Sequence, residues 1–163
     1  MIHFFEYNWQ VRDEWLEWCK QLPNEELVKG RTGGVGSILH TLLHIIDVEY
    51  SWVRGIQGKE DVVFEFTDYN TLEKVKSLSD RLRNEVAGFL SKNLDELSHK
   101  VVEVPWDEDK YTVEEIIHHV IAHEIHHIGQ LSVWAREIGL DPVSAHFIGR
   151  KFRPIYSYDA YAQ

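Results

Sequence analysis

Residues 112–139 read TVEEIIHHVIAHEIHHIGQLSVWAREIG, which combines a helical apolar pattern with half of the chain's ten histidines. Thr112 and Glu115 have the spacing of a capping box, and this spacing predicts the start of a helix. The apolar residues that recur on one helical face are Ile116, Val120, Leu131 and Trp134. Because Gly139 follows, we expect the helix to end near Ile138.

Three more amphipathic segments precede this helix. The first carries apolar and amide side chains at alternating steps of four and three, and Pro23 ends it. Its predicted buried face is Phe4, Asn8, Val11, Trp15, Trp18 and Leu22. A second helix is expected over residues 38–56 with Ser37 as its N-cap, and a third begins near Asn70 or Thr71. The glycine-rich stretch after Pro23 is interpreted as a connector.

Four long amphipathic segments with short connections predict an all-α four-helix bundle. The helical period is lost between Asn93 and Tyr111, where HKVVEVPW (residues 99–106) predicts a short extended segment before the last long helix. The following DEDK is expected to be a turn. We expect residues 1–163 to form one domain, with an irregular tail over about residues 140–163.

Charge and hydropathy exclude several classes of partner. The formal net charge of -10 argues against nonspecific nucleic-acid binding, which needs clustered Lys and Arg, and against attachment to an anionic membrane. No apolar run approaches the ~20 residues of a membrane-spanning helix. The N-terminal residues lack the basic region and long apolar segment of a signal peptide. We therefore expect a cytoplasmic protein that binds neither nucleic acid nor membranes.

Histidines recur four residues apart on two of the predicted helices. His119, His123 and His127 lie along one side of the last helix, and His40 and His44 share a turn of the second. Two imidazoles at this spacing can bind one metal ion from a single helical turn. The alternative is a histidine-rich amphipathic helix without a ligand. A third imidazole from a facing helix would favour the metal site, because bundles build such sites from several helices.

Two acidic residues fall within predicted apolar faces, Glu49 on the second helix and Glu124 on the last. A carboxylate that faces a core is unfavourable unless it is paired or hydrogen-bonded. One interpretation is that these acids accept hydrogen bonds from a ligand imidazole or from another buried donor. The other is that the bundle is slightly rotated, so that the acids reach water.

Residues 123–127 also fit H-E-x-x-H, the zinc-protease pattern in which Glu124 would be the general base. The extended form of that motif requires Gly and His where this chain has Gln130 and Val133. The preceding chain is nearly all helical and predicts no sheet that could hold a peptide. A protease is therefore not favoured.

Two segments together resemble the DinB/YfiT-like superfamily of bacterial four-helix metalloproteins: SILHTLLHIIDVEYSWVRGI (residues 37–56) and VPWDEDKYTVEEIIHHVIAHEIHHIGQL (residues 104–131). The most specific piece is His-x-x-His-His-x-Gly-Gln-Leu at residues 123–131, and the resemblance covers nearly the whole chain. It implies one divalent metal ion, with zinc or nickel favoured and iron possible. The ligands that it implies are His44, His123 and His127. It also implies that the site is supported by Glu49, Glu124 and Gln130.

The resemblance extends to function, which differs among members of the superfamily. Such families include transferases, isomerases and hydrolases that use low-molecular-weight thiols such as bacillithiol or mycothiol. For this chain we expect a metal-dependent enzyme that transfers a small thiol to an electrophile, or else metal-assisted hydrolysis. The alternatives are a non-catalytic metal-binding module with a stress-response or structural role, and a plain helical interaction protein. The family and the six tryptophans also suggest a homodimer.

Overall fold

The computed structural model describes residues 2–152, except for the side chains of residues 92–95. The elements in chain order are α1 (Ile2–Trp18), a 3-10 turn (Cys19–Gln21), α2 (Asn24–Leu27), α3 (Ile38–Ile56), α4 (Leu72–Leu97), β1 (Val101–Glu103), β2 (Lys110–Thr112) and α5 (Val113–Glu137). The fold is all-α, as predicted, with four long helices and one small hairpin. None of the helices within residues 2–152 is both long and apolar enough to span a membrane.

Local sequence signals set the starts of α3 and α5, the two helices that carry the clustered histidines. Ser37 accepts a hydrogen bond from the backbone N–H of His40 at 3.1 Å and so caps α3. Thr112 and Glu115 form the predicted capping box, because each side chain accepts a hydrogen bond from the other residue's backbone N–H. Past the end of α5, Gly139 has φ +78°, a left-handed conformation that glycine adopts without strain.

The four long helices pack so that α1 and α3 face each other across the bundle. Helix α3 packs against α4 and α5, and α1 packs against the same two helices. Buried apolar side chains from all four helices form one continuous core. A polar side chain at the inner face of α1 can therefore reach both α3 and α5.

The extended segment before α5 is half of an antiparallel hairpin, in which Val102 of β1 pairs with Tyr111 of β2. The sequence predicted β1 but placed Lys110 in the turn. Strand β2 exists because its backbone pairs with β1, and this partner is not visible in the local pattern. The hairpin docks on α3 at Gly55, where an added Cβ would lie 2.7 Å from Val104 Cγ1.

The buried face of α1 differs from the prediction at its first position. Phe4 is 43% exposed, whereas Phe5 is completely buried. Helix α1 contacts α4 and α5 on one side and residues 140–152 on another, so its buried arc is wider than one stripe. The Phe4 ring lies against Phe147 of that segment, with 5.0 Å between ring centroids.

Residues 140–152, the described part of the predicted irregular tail, contain no helix or strand. They are nevertheless fastened to α1. The Tyr7 hydroxyl donates to the Ala145 carbonyl at 2.8 Å, and Arg150 forms an ion pair with Glu14 at 2.8 Å. Residues 153–163 of the predicted tail lie outside the part of the chain that the structure describes.

Candidate metal centre

Helices α3 and α5 bring three imidazoles together. His44 comes from α3, and His123 and His127 lie one turn apart on α5. The Nε2 atom of His123 is 3.1 Å from the Nε2 atoms of both His44 and His127. One potential ligand atom from each residue lies within 4.8 Å of the other two. These are the three residues that the family resemblance implied as ligands.

The spacing of these nitrogen atoms fits a metal ion. A zinc–imidazole bond is about 2.0–2.1 Å long, so two ligand nitrogens of a tetrahedral ion are about 3.3 Å apart. The two separations of 3.1 Å are close to that value. Three protein ligands leave at least one coordination position for water or a substrate, as in catalytic zinc sites.

Gln130 orients one of the three rings. Its Oε1 atom accepts a hydrogen bond from His127 Nδ1 at 2.8 Å, and its Nε2 atom lies 3.1 Å from His126 Nε2. Because an amide oxygen can only accept, the proton of His127 is on Nδ1, and Nε2 keeps its lone pair for the ion. Gln130 therefore has a contact of the supporting kind that the resemblance implied.

The glycine-rich connector also reaches this site. Gly34 has φ +54°, and an added Cβ would lie only 2.5 Å from Gln130 Oε1. The Trp134 indole nitrogen donates to the backbone carbonyl of Thr32 at 3.2 Å and so fastens the connector to α5. The connector thus packs directly on the residue that orients His127.

The three imidazoles are neutral near neutral pH. Burial, and to a smaller extent the charges of neighbouring imidazoles, lower the pKa of His44 to about 4 and the pKa of His123 to about 3. Burial also lowers the pKa of His127, against the opposing effect of its hydrogen bond to Gln130. Neutral imidazole is the form that binds metal, so the site would release few protons on binding an ion at pH 7.

The remaining histidines of these helices lie around the cluster but outside it. The ring of His40 stacks on Phe66, with 4.5 Å between centroids. His119 and His126 are exposed, and the His119 ring lies 5.5 Å from that of Trp52. The resemblance assigned no ligand role to these histidines, and the geometry agrees. His44 and His123 remain partly exposed, so the cluster is not sealed within the core.

The two acids in the apolar faces bind one buried arginine. Glu49 and Glu124 are only 3% and 1% exposed, so the interpretation in which they reach water is wrong. Arg12, with no exposed surface, donates two hydrogen bonds to each carboxylate over distances of 2.5–3.0 Å. The Trp9 indole adds a bond to Glu49 at 2.9 Å. The partner is thus a buried donor and not a ligand imidazole. We call Arg12, Glu49 and Glu124 the ion cluster.

The opposite charges of the ion cluster stabilise each other. Burial alone would lower the pKa of Arg12, but the charges and hydrogen bonds of Glu124 and Glu49 raise it above its ordinary value. Both oxygens of Glu124 are held by Arg12, so this carboxylate is not available as a general base beside the imidazoles. This arrangement removes the role that the zinc-protease pattern would give to Glu124.

The burial of Arg12 was not predicted from the sequence, although its neighbours on α1 contained a signal for it. Its neighbours three and four residues away on α1 are Asn8, Trp9, Trp15 and Leu16. None of them is acidic, so Arg12 has no local ion-pair partner, and most of them are large and apolar. An arginine in such a place is rarely buried without a partner elsewhere. Glu49 on α3 and Glu124 on α5 were two acids within apolar faces that lacked a cationic partner, so they were the expected partners of a buried arginine.

Comparisons with known proteins agree with this architecture. The DinB family matches the chain over residues 1–153. Uncharacterized protein YizA from Bacillus subtilis (strain 168) is 62% identical over 159 residues, which cover 97% of this chain and 100% of that protein. The crystal structure of a DinB-like protein from Bacillus cereus ATCC 10987 has a TM-score of 0.70 at 15% identity, covering 87% of this chain and 93% of the other. The chain belongs to the DinB family.

Proposed function

We propose that this protein binds one divalent metal ion through His44, His123 and His127, and that it is a metal-dependent enzyme acting with a low-molecular-weight thiol. The observation that supports this most directly is the convergence of three neutral imidazole nitrogens from two helices. Imidazole ligands suit zinc and nickel, and also iron. An ion bound there would lower the pKa of a coordinated thiol or water and so supply a nucleophile near neutral pH.

The chain's own residues favour a reactive site over a purely structural one. The core is filled by apolar side chains without help from the imidazoles. His44 and His123 are partly exposed, and the exposed His119 lies beside them with its ring centroid 5.8 Å from that of His123. A small substrate can therefore approach the imidazoles from solvent, whereas a structural ion is usually enclosed by four protein ligands.

In the proposed transfer, the thiol gives its proton to solvent water and its sulfur forms a bond to the electrophilic atom. The leaving group departs with the electron pair of the broken bond. Metal-assisted hydrolysis is the second candidate, because water can take the place of the thiol at the same open position. In either reaction, Gln130 would hold the His127 ring in one orientation throughout.

Elemental analysis of protein purified without a histidine tag tests the metal site. We expect about one equivalent of zinc, nickel or iron in the wild type, and none in His123→Ala. His118→Ala is the matched control, because His118 is an exposed histidine of the same helix and should change nothing. Wild-type protein that stays free of metal after incubation with each ion would contradict the proposal.

A screen of small thiols against electrophiles then tests catalysis. We expect turnover that depends on the thiol and is absent in His123→Ala, whereas His118→Ala remains active. The alternative, a non-catalytic metal-binding module, predicts a different pair of results. In that case chelation would strongly lower the melting temperature, and no thiol and electrophile pair would react.

A further inference from the structure

The ion cluster joins the two helices that carry the imidazoles. Arg12 comes from α1, Glu49 from α3 and Glu124 from α5. Glu124 directly follows His123 in the sequence, and Glu49 lies five residues after His44 on its helix. The contacts of one guanidinium therefore fix points on both ligand-bearing helices, close to the ligands themselves.

We propose that Arg12 is a positioning residue for the metal centre: by binding Glu49 and Glu124 at once, it sets the rotation of α5 relative to α3. This inference rests on the proposed metal-binding function. Arg12 would touch neither the ion nor a substrate. It acts through the two glutamates, and thus through the helices to which the imidazoles are attached.

The size of the effect follows from helix geometry. Side chains reach about 5–6 Å from the helix axis, so a rotation of α5 by roughly 20° moves an atom at its surface by about 2 Å. That displacement equals a whole metal–nitrogen bond of about 2.0–2.1 Å. Small changes in rotation would therefore separate His44 from His123, whose Nε2 atoms are now 3.1 Å apart.

Arginine is suited to this task because of its shape. A planar guanidinium can donate paired, parallel hydrogen bonds to two carboxylates, and those pairs fix direction as well as distance. Arg12 does so with both glutamates. Buried ion clusters often add little net stability compared with apolar residues, and their best-attested role is to specify one packing arrangement. A positioning role accounts for a buried charge cluster that stability alone does not require.

Arg12→Lys tests the inference, because a lysine keeps the charge but lacks the paired donors. Two measurements are made on it and on the wild type. The first is the nuclear Overhauser effect between the His44 and His123 rings in metal-free protein. The second is the affinity for Co²⁺ together with the visible absorption of the bound ion, which reports coordination geometry. Asp13→Asn is the matched control, since it breaks an ion pair between α1 and Arg83 of α4 and changes no residue of α3, α5 or the ion cluster.

We expect Arg12→Lys to weaken the ring-to-ring effect, to lower the Co²⁺ affinity at least tenfold, within the roughly 10–100-fold range for groups that support ligands, and to shift the absorption. Asp13→Asn should leave all three unchanged. An intact ring-to-ring effect and a Co²⁺ affinity within twofold of wild type in Arg12→Lys would overturn the inference.

Two further outcomes remain informative. If the wild type binds no Co²⁺, Zn²⁺ or Ni²⁺, the proposed function fails, but the ring-to-ring effect in metal-free protein still decides whether Arg12 positions the imidazoles. If Arg12→Lys does not fold, Glu49→Gln takes its place, because glutamine keeps the size of the side chain and one oxygen acceptor. The same losses in Glu49→Gln would support the inference, and wild-type values would overturn it.

Discussion

Two polar clusters lie close together in this bundle, and they differ in whether their polar groups already have complementary partners within the chain. In the ion cluster, one guanidinium is held by two carboxylates through four hydrogen bonds, so the positive and negative groups stabilise each other. In the imidazole cluster, three neutral rings direct nitrogen atoms at one another. Lone pairs that converge in this way repel each other unless a proton or a cation lies between them.

This difference distinguishes polar groups that stabilise the structure from polar groups that can act as ligands. The ion cluster is complete with residues of this chain, and its members are almost fully buried. The imidazole cluster is partly exposed, and the lowered pKa values of His44 and His123 keep these rings neutral. Three neutral imidazoles could hold a metal ion, because the ion accepts a lone pair from each ring. The comparison can be tested by removing members from each cluster in turn.

The largest effect is expected from Arg12→Met, which leaves two carboxylates buried without their cation. Removing one partner of a buried ion pair destabilises a protein by about 3–5 kcal/mol. His44→Gln should change the unfolding free energy of metal-free protein by less than about 1 kcal/mol. The reason is that the His44 ring is partly exposed and its removal leaves no buried charge without a partner. Urea unfolding in the presence of a chelator measures both. Equal losses in the two variants would contradict the distinction.

The next effect concerns stabilisation by the ion. A ligand that binds only the folded state stabilises it by about 2.7 kcal/mol at a free concentration 100 times its Kd. We expect Zn²⁺ to raise the wild-type melting temperature accordingly and to leave that of His44→Gln unchanged. His40→Gln, altered one turn earlier on the same helix face, serves as the control and should respond like the wild type. A similar rise in the melting temperature of His44→Gln would show that zinc binds at another site.

A smaller effect is expected at the residue that orients a ligand. Gln130→Met removes the oxygen that accepts from His127 Nδ1 and keeps the approximate size of the side chain. The loss of such a partner typically lowers metal affinity by roughly 10–100-fold. Gln130→Glu, which restores an oxygen acceptor, should recover most of the affinity. Isothermal titration with Zn²⁺ gives these values, and an unchanged Kd in Gln130→Met would show that Gln130 does not support the site.

The smallest effect concerns a carboxylate that, in contrast to Glu49, has no cationic partner in the described part of the chain. Asp47 Oδ1 is buried and has no hydrogen-bond partner among residues 2–152. Burial, together with the negative charges of Asp61 and Glu65, raises the pKa of Asp47 to about 6. The folded state therefore binds this proton more tightly than the unfolded state does, and stability is lost as pH rises from about 4 to about 6.

Asp47→Asn should consequently stabilise the protein at pH 7 and have no stabilising effect at pH 3.5. We expect a gain of less than about 1 kcal/mol, because the side chain is partly exposed and water screens its charge. Thermal melts of both proteins across this pH range test the sign. A variant that is less stable than the wild type at pH 7 would show that Asp47 has a favourable partner there.

Sequence patterns recovered the features that depend on local spacing. The capping residues Ser37 and Thr112 marked helix starts correctly, because a cap involves residues only three positions apart. The helical wheel placed Glu49 and Glu124 within apolar faces, and of the two open interpretations the structure shows burial. The spacing of His123 and His127 allowed a ligand pair, and the family resemblance added His44. The structure brings these three rings together, and their role as ligands stays a prediction.

Features that depend on distant partners were not recovered. Arg12 is buried only because acids from two other helices meet it, and no window of sequence contains all three residues. Strand β2 depends on pairing with β1, and the exposure of Phe4 depends on how residues 140–152 lie against α1. In each case, the deciding contacts come from residues that lie far away in the sequence.

The imidazoles that converge at the metal centre are far apart along the chain, since 79 positions separate His44 from His123. During synthesis the ribosome delivers His44 long before the two ligands of α5, and the full set exists only once most of the protein has emerged. An isolated pair on one helical turn would hold an ion weakly, so capture by the proposed site would await docking of α5 against α3. Metal uptake would then follow tertiary folding, and cells short of the ion would accumulate a folded apoprotein.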